Sequence, residues 1–196
     1  MKCEYKIKVT NYAISWKAPF CGTRQSFRRL TEHLRVGRLF KLAFHANFAV
    51  LRFIHANFVY IIFYGGHVNC TGVAHSKLIP VAVSLFEGVF CCHVTSHKIQ
   101  AIAATSNTYR CFAQKDIDKL KNAVPRGNRI FCVRDYFTGI LIRFEKGGSA
   151  QLFYSGKVNF LGAKSLQQLF HMWHVVRYTL LNVRDLSTSG AVPDNR

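Results

Sequence analysis

Phe153, Lys157 and Asn159 stand within one short segment, and the same spacing returns as Phe63, His67 and Asn69. A planar ring, a cation and an amide are the groups that unstack bases, hold phosphate oxygens and hydrogen-bond base edges. The segments that carry them are Phe63-Tyr64-Gly65-Gly66-His67-Val68-Asn69-Cys70-Thr71-Gly72 and Phe153-Tyr154-Ser155-Gly156-Lys157-Val158-Asn159-Phe160-Leu161-Gly162. Phe, Tyr, Gly, Val, Asn and Gly are identical at matching places, at a constant offset of 153 − 63 = 90 residues. Two repeats of that size are too few and too large for an open solenoid. They predict one pseudo-twofold domain with two quasi-equivalent halves of a single surface, and hence a partner of approximate twofold symmetry.

Composition narrows the chemistry further. Lys and Arg number 27 against 9 Asp and Glu in 196 residues, and a net charge of +18 implies a polyanionic partner. Nucleic acid is the first candidate, an anionic membrane the second, and a ribosomal or capsid scaffold the third. The few carboxylates form no paired acids, and the nine histidines form no HExxH motif; no nucleophile motif or phosphate loop is present. An enzyme is therefore not expected, nor a small-molecule substrate, nor a cofactor. Seven cysteines (Cys3, Cys21, Cys70, Cys91, Cys92, Cys111, Cys132) lack CxxC spacing, so buried free thiols are expected rather than a disulfide framework. Cys91-Cys92-His93 with His97 is the nearest approach to a metal site, but adjacent cysteines fit a tetrahedral ion poorly, and no metal is expected.

Between Phe40 and Tyr64, His45, Asn47, Arg52, His55 and Asn57 interrupt the apolar residues too often for a membrane-spanning helix, and strands are expected there. Met1 to Lys6 lack the apolar core of a secretory signal, so a nuclear address is expected, or the site of transcription for a viral protein.

The elements that must position these residues follow the repeat. The first half predicts a strand over Tyr5–Ala13, a basic amphipathic helix over Thr23–Val36 and three or four strands between Leu39 and Thr71. A helix over Ser76–Val89 follows, with Pro80 near its first turn. The second half predicts a strand over 98–102, a helix over 114–123 and a turn at Arg126-Gly127-Asn128. Strands follow over 130–133, 139–144, 149–155 and 158–161, then a long helix over 165–182 and a polar, disordered tail from about 186. A single domain with repeats at about 5–95 and 96–185 is expected, with one continuous antiparallel sheet.

An antiparallel sheet covered on one face normally alternates apolar and polar residues. Phe58-Val59-Tyr60-Ile61-Ile62-Phe63-Tyr64 and Gly139-Ile140-Leu141-Ile142 do not alternate, and the sequence has no spare helices for a second layer. The uncovered face is then an apolar binding surface. Minor-groove proteins lay such a surface on the sugar walls, wedge side chains between base steps and keep cations for the phosphates.

These residues resemble a known family. Leu152-Phe153-Tyr154-Ser155-Gly156-Lys157 with Val158 to Ser165 looks like the SGK…GAK signature of the TATA-binding protein core, and Phe137 to Arg143 resembles its preceding strand. Lys98-Ile99-Gln100 is similar to the strand that opens the family's second repeat, and the likeness runs from about Tyr5 to Val183. It implies an α+β fold: two pseudo-twofold repeats forming one saddle-shaped antiparallel sheet, with helices on the convex face and double-stranded promoter DNA bent through its minor groove. That family is itself the standard example of such bending, which is taken over from it rather than read from these residues. The resemblance assigns DNA-intercalating roles to Phe63, Phe137, Phe153 and Phe48; Phe44 competes for the last, and gapless alignment lands on Ala46. It assigns the groove floor to Asn11, Asn69, Thr71, Asn159 and Leu161, and phosphate contacts to Arg52, Arg143, Lys157 and Lys164. It implies a factor that nucleates a transcription preinitiation complex, with transcription factors IIA and IIB or analogues as partners.

The chain departs from the family at several of these places. His67 stands where the first repeat has a lysine, and Ala101 where the second has an asparagine. Asn69 and Asn159 replace small apolar residues, and Leu161 a threonine, so a relaxed preference for A·T steps is expected. The helix near Ser76–Phe86 lacks the family's basic run, and only Asp135 remains of an acidic segment. The competing readings are a protein for RNA or single strands, against which the repeat symmetry argues, and a scaffold that keeps the fold but no longer bends DNA.

Overall fold

The computed structural model describes residues 6–19, 41–45, 50–108, 111–132 and 139–183, with Gln25, Phe27, Arg29 and Glu32 in helical conformation between them. The predicted helix over Thr23–Val36 is described only at those four positions, and the tail from 186 lies outside the described residues. Two compact units emerge, Thr10–Ala101 and Ile102–Arg196 with Met1–Val9.

The first unit is built on β1 (Lys8–Lys17) from Thr10 on, β2 (Lys41–His45), β3 (Val50–His55), β4 (Phe58–Phe63) and β5 (His67–Val73), antiparallel in the order β2-β3-β4-β5-β1. Helix α1 (Ile79–Phe90) follows a 3-10 turn at Ser76–Leu78, and Pro80 occupies its first turn, where a missing N–H costs nothing. The second unit is built on β6 (His97–Asn107) from Ile102 on, α2 (Ile117–Ala123), β7 (Arg129–Cys132), β8 (Gly139–Arg143), β9 (Ser149–Phe153), β10 (Lys157–Ala163) and α3 (Leu166–Asn182). Its strands are antiparallel in the order β6-β10-β9-β8-β7. Ser165 starts α3 because its hydroxyl accepts the Gln168 N–H at 3.1 Å, which satisfies one of the orphan donors of a helix start.

Strands β1 and β6 run further than alternation predicted. Ser15, Thr105 and Ser106 break the hydropathy pattern, but the ladder continues through Trp16 opposite Val68 and Ser106 opposite Val158. Those two pairings are themselves 90 residues apart, since 106 − 16 = 158 − 68 = 90. Both ladders slip by a bulge at corresponding points, where Gly72 (φ +88) and Gly162 (φ +81) take the left-handed backbone that favours glycine.

Pleating sends alternate side chains to opposite faces. In β4, Phe58, Tyr60 and Ile62 are buried while Val59, Ile61 and Phe63 are half-exposed. Helix α1 covers the buried side: the Tyr60 hydroxyl donates to the Ala82 carbonyl at 2.7 Å, and Phe86 meets Trp16 edge-on at 5.1 Å. In the second unit Phe160 lies fully buried, edge-on to Trp173 of α3 at 6.2 Å. Each such ring contributes about 1.5–3 kcal/mol through burial alone.

The expectation of buried thiols fails in part. Cys70 is buried, but Cys91 and Cys111 are exposed, Cys91 because it takes the left-handed position (φ 47) at the end of α1. Burial pushes the Cys70 thiol from 9.0 up to about 12, and burial followed by Cys70 raises the Tyr60 phenol opposite it. The folded protein therefore keeps protons that the unfolded chain has lost, so stability is full below pH 9 and falls as the pH climbs toward about 12. Denaturant midpoints across that range should fall in the wild type and fall less in Cys70→Val.

Candidate nucleic-acid interface

Phe63 and Phe153 each end a strand and begin the same turn. The Gly66 N–H donates to the Phe63 carbonyl at 2.9 Å, and the Gly156 N–H to the Phe153 carbonyl at 2.9 Å. Gly66 (φ 86) and Gly156 (φ 81) complete the three-residue hairpin loop in the left-handed region. The neighbouring strand locks each turn, with Ala18 N–H to Gly66 at 2.7 Å and Thr108 N–H to Gly156 at 2.9 Å. Local backbone chemistry thus holds one phenylalanine at the end of each unit's sheet.

The open face of the first unit carries the row Ser15, Asn69, Ile61 and Arg52, each opposite the next, followed by Thr71, Val59 and Ile54. The open face of the second carries Thr105, Asn159, Gln151, Leu141 and Phe131, then Leu161, Ser149, Arg143 and Arg129. Leu161 is 42% exposed and Phe131 41%. None of the nine Asp and Glu residues of the sequence falls in β1 to β10, whereas Lys8, Lys17, Lys41, Arg52, Lys98, Arg129, Arg143 and Lys157 do. Carboxylates lie beside the helices instead: Glu87 with His93 at 3.0 Å, Asp116 with Lys119 at 3.9 Å and Asp118 with Lys121 at 3.0 Å. The open faces mix aliphatic and aromatic side chains with uncharged amides and hydroxyls and carry cations but no carboxylate among the described residues, which suits a surface that must approach phosphates while displacing water.

Phe63, Arg52, Asn69 and Thr71 lie on the first unit's open face, and Phe153, Arg143, Asn159 and Leu161 on the second's. Lys157 is exposed at the start of β10, opposite Asn107; His67 holds the corresponding place opposite Lys17. Lys164 follows β10 and is fixed through its backbone, whose N–H donates to Gln168 Oε1 at 2.7 Å while Gln168 Nε2 donates to the Lys146 carbonyl at 2.8 Å. Asn11 accepts the Gly72 N–H through Oδ1 at 2.9 Å, which leaves its amide N–H groups as donors. Phe48 and Phe137 lie outside the described residues; Phe44 lies in β2 opposite Leu51.

Sequence reasoning missed Phe131, over whose ring the Arg143 guanidinium carbon sits at 5.3 Å. Its signal was the alternation Arg129-Ile130-Phe131 within a strand of only four residues. Thr105 and Gln151 were missed too, for lack of any counterpart in the repeated segment. Among the described residues no group of three or more His, Cys, Asp or Glu is placed to hold a metal, and no helix is long and apolar enough to cross a membrane.

No protein-family model matches the chain, and no curated protein matches its sequence. Among solved structures the chain is similar to the Methanococcus jannaschii TBP, at 21% identity and a TM-score of 0.69, over 91% of this chain and 99% of that one. The fold implied by the repeated segments and the fold found by comparison agree: the chain has the α+β fold of the TATA-binding protein.

Proposed function

We propose that the protein binds double-stranded promoter DNA through the minor groove, bends it and nucleates assembly of a transcription initiation complex. The observation that carries this reading is the pair of open sheet faces, free of carboxylates among the described residues, mixing aliphatic and aromatic side chains with amides and hydroxyls, and edged by Arg52, Arg143 and Lys157. Apolar side chains meet sugar walls, phenylalanines at the sheet ends wedge base steps, and cations reach the phosphates. Partners of the factor IIA and IIB type and action in the nucleus, or where a viral genome is transcribed, belong to the same proposal. An A·T-rich duplex should bind more tightly than its separated strands, and a small minor-groove ligand such as netropsin should displace the protein. Tighter binding to the single strands, with no displacement by the ligand, would favour the single-strand reading instead.

The phosphate contacts give a separate expected result. Lys157→Ala should weaken binding by a similar factor on every duplex and lower the slope of log affinity against log salt by about one. His67→Lys, at the matching place in the first unit, should raise that slope by about one. Titrations of both variants at several salt concentrations check the pair.

A further inference from the structure

The two open faces differ in how they could treat a guanine. In the second unit Thr105, Asn159 and Gln151 stand side by side on three adjacent strands, with Asn159 opposite Thr105 on one side and opposite Gln151 on the other. All three are half-exposed, and their neighbours along each strand, Ala104, Ser106, Val158, Phe160, Ala150 and Leu152, are buried on the opposite face. No protein hydrogen bond engages the three side chains among the described residues, so their donors and acceptors point outward unspent. The corresponding row of the first unit is Ser15, Asn69 and Ile61, in which the Ser15 hydroxyl already accepts from Gln100 Nε2 at 2.6 Å and Ile61 is apolar, so the row presents one amide, Asn69, where the second unit presents two.

The minor groove distinguishes G·C from A·T by one group, the guanine N2 amino donor. An apolar floor leaves that donor desolvated and unpaired. A side-chain amide instead accepts from it through oxygen while its own N–H donates to the purine N3 or pyrimidine O2 beside it. We propose that the Thr105–Asn159–Gln151 row is a guanine-accepting tract. The second unit, with two amides in its row to the first unit's one, then takes G·C in its half-site more readily than the first, so the preferred DNA element is asymmetric and sets the direction in which the protein binds. This rests on the minor-groove reading above and names the sequence class that reading leaves open.

Inosine separates the possibilities, because I·C keeps the hydrogen-bonding edges of G·C in the major groove but lacks the amino group in the minor groove. Three duplexes share one A·T-rich half and carry A·T, G·C or I·C pairs at the centre of the other half. The wild-type protein should bind the G·C duplex about three- to tenfold more tightly than the I·C duplex, the worth of one hydrogen bond. Asn159→Val with Gln151→Val should abolish or reverse that ratio. Equal or tighter binding of the I·C duplex by the wild type overturns the tract. So does retention of the ratio in the double variant. Equal affinity for all three duplexes, with no displacement by netropsin, overturns the minor-groove reading itself along with the tract, and the wild-type comparison needs no variant to fold.

Discussion

Replacing Phe63 and Phe153 together by alanine should lower affinity for an A·T-rich duplex by about thirtyfold to twenty-thousandfold and remove most of the bend. A ring stacked on a base is worth about 1–3 kcal/mol, so two give about 2–6 kcal/mol. Bending goes with affinity because the wedge is what opens the base step and brings more protein surface onto the DNA. Both rings are half-exposed at strand ends, and the turns that follow them are held by backbone groups, so the variant should fold. A thermal midpoint within a few degrees of the wild type is the control. A double variant that binds and bends within threefold of the wild type would remove these phenylalanines from the site.

The second large effect concerns stability, and the repeat supplies its own comparison. Gly72 and Gly162 share the bulge position and a positive φ, but not the space around them. A Cβ on Gly162 would meet nothing nearer than the Gly148 Cα at 3.5 Å, whereas on Gly72 it would run into the Asn57 carbonyl oxygen. Backbone cannot rotate away as a side chain can. Gly162→Ala should therefore cost about 1–2 kcal/mol, the penalty of the left-handed conformation alone. Gly72→Ala should cost about 1–3 kcal/mol more, from overpacking against the β3–β4 turn. The bulge lies beside Asn11, so the variant also disturbs the Asn11 bond to the Gly72 N–H. Chemical denaturation of both variants gives the difference directly, and equal losses would mean that the turn at Asn57 yields freely.

The parts of the site that were legible in the sequence are those where backbone geometry dictates residue type. A hairpin loop that needs a left-handed glycine, and a bulge that needs another, recur at a fixed offset, and the phenylalanines just before the loop and the asparagines between the two glycines inherit fixed places on the sheet. Non-alternating strands gave the open apolar face, because an aliphatic residue with no layer above it stands out against the pleat. What stayed hidden depends on register across strands. Nothing local in Gln151 or Thr105 says that both flank Asn159; that follows only from how β6, β9 and β10 align. Strand β7 is too short for its alternation to announce Phe131. In the first repeat, gapless alignment from Arg52 lands on Ala46 rather than on a ring, which is why Phe44 and Phe48 on either side compete for one place. The exposure of Cys91 was equally out of reach, since it is set by the backbone leaving α1 rather than by hydropathy.

The most direct test of the central claim is energy transfer across an end-labelled A·T-rich duplex and a wholly G·C duplex of equal length. Minor-groove bending predicts that saturating protein shortens the end-to-end distance of the A·T-rich duplex strongly and leaves that of the G·C duplex nearly unchanged. Binding to both duplexes with no shortening of either would contradict it, and would leave a basic TBP-like fold that holds nucleic acid by charge alone.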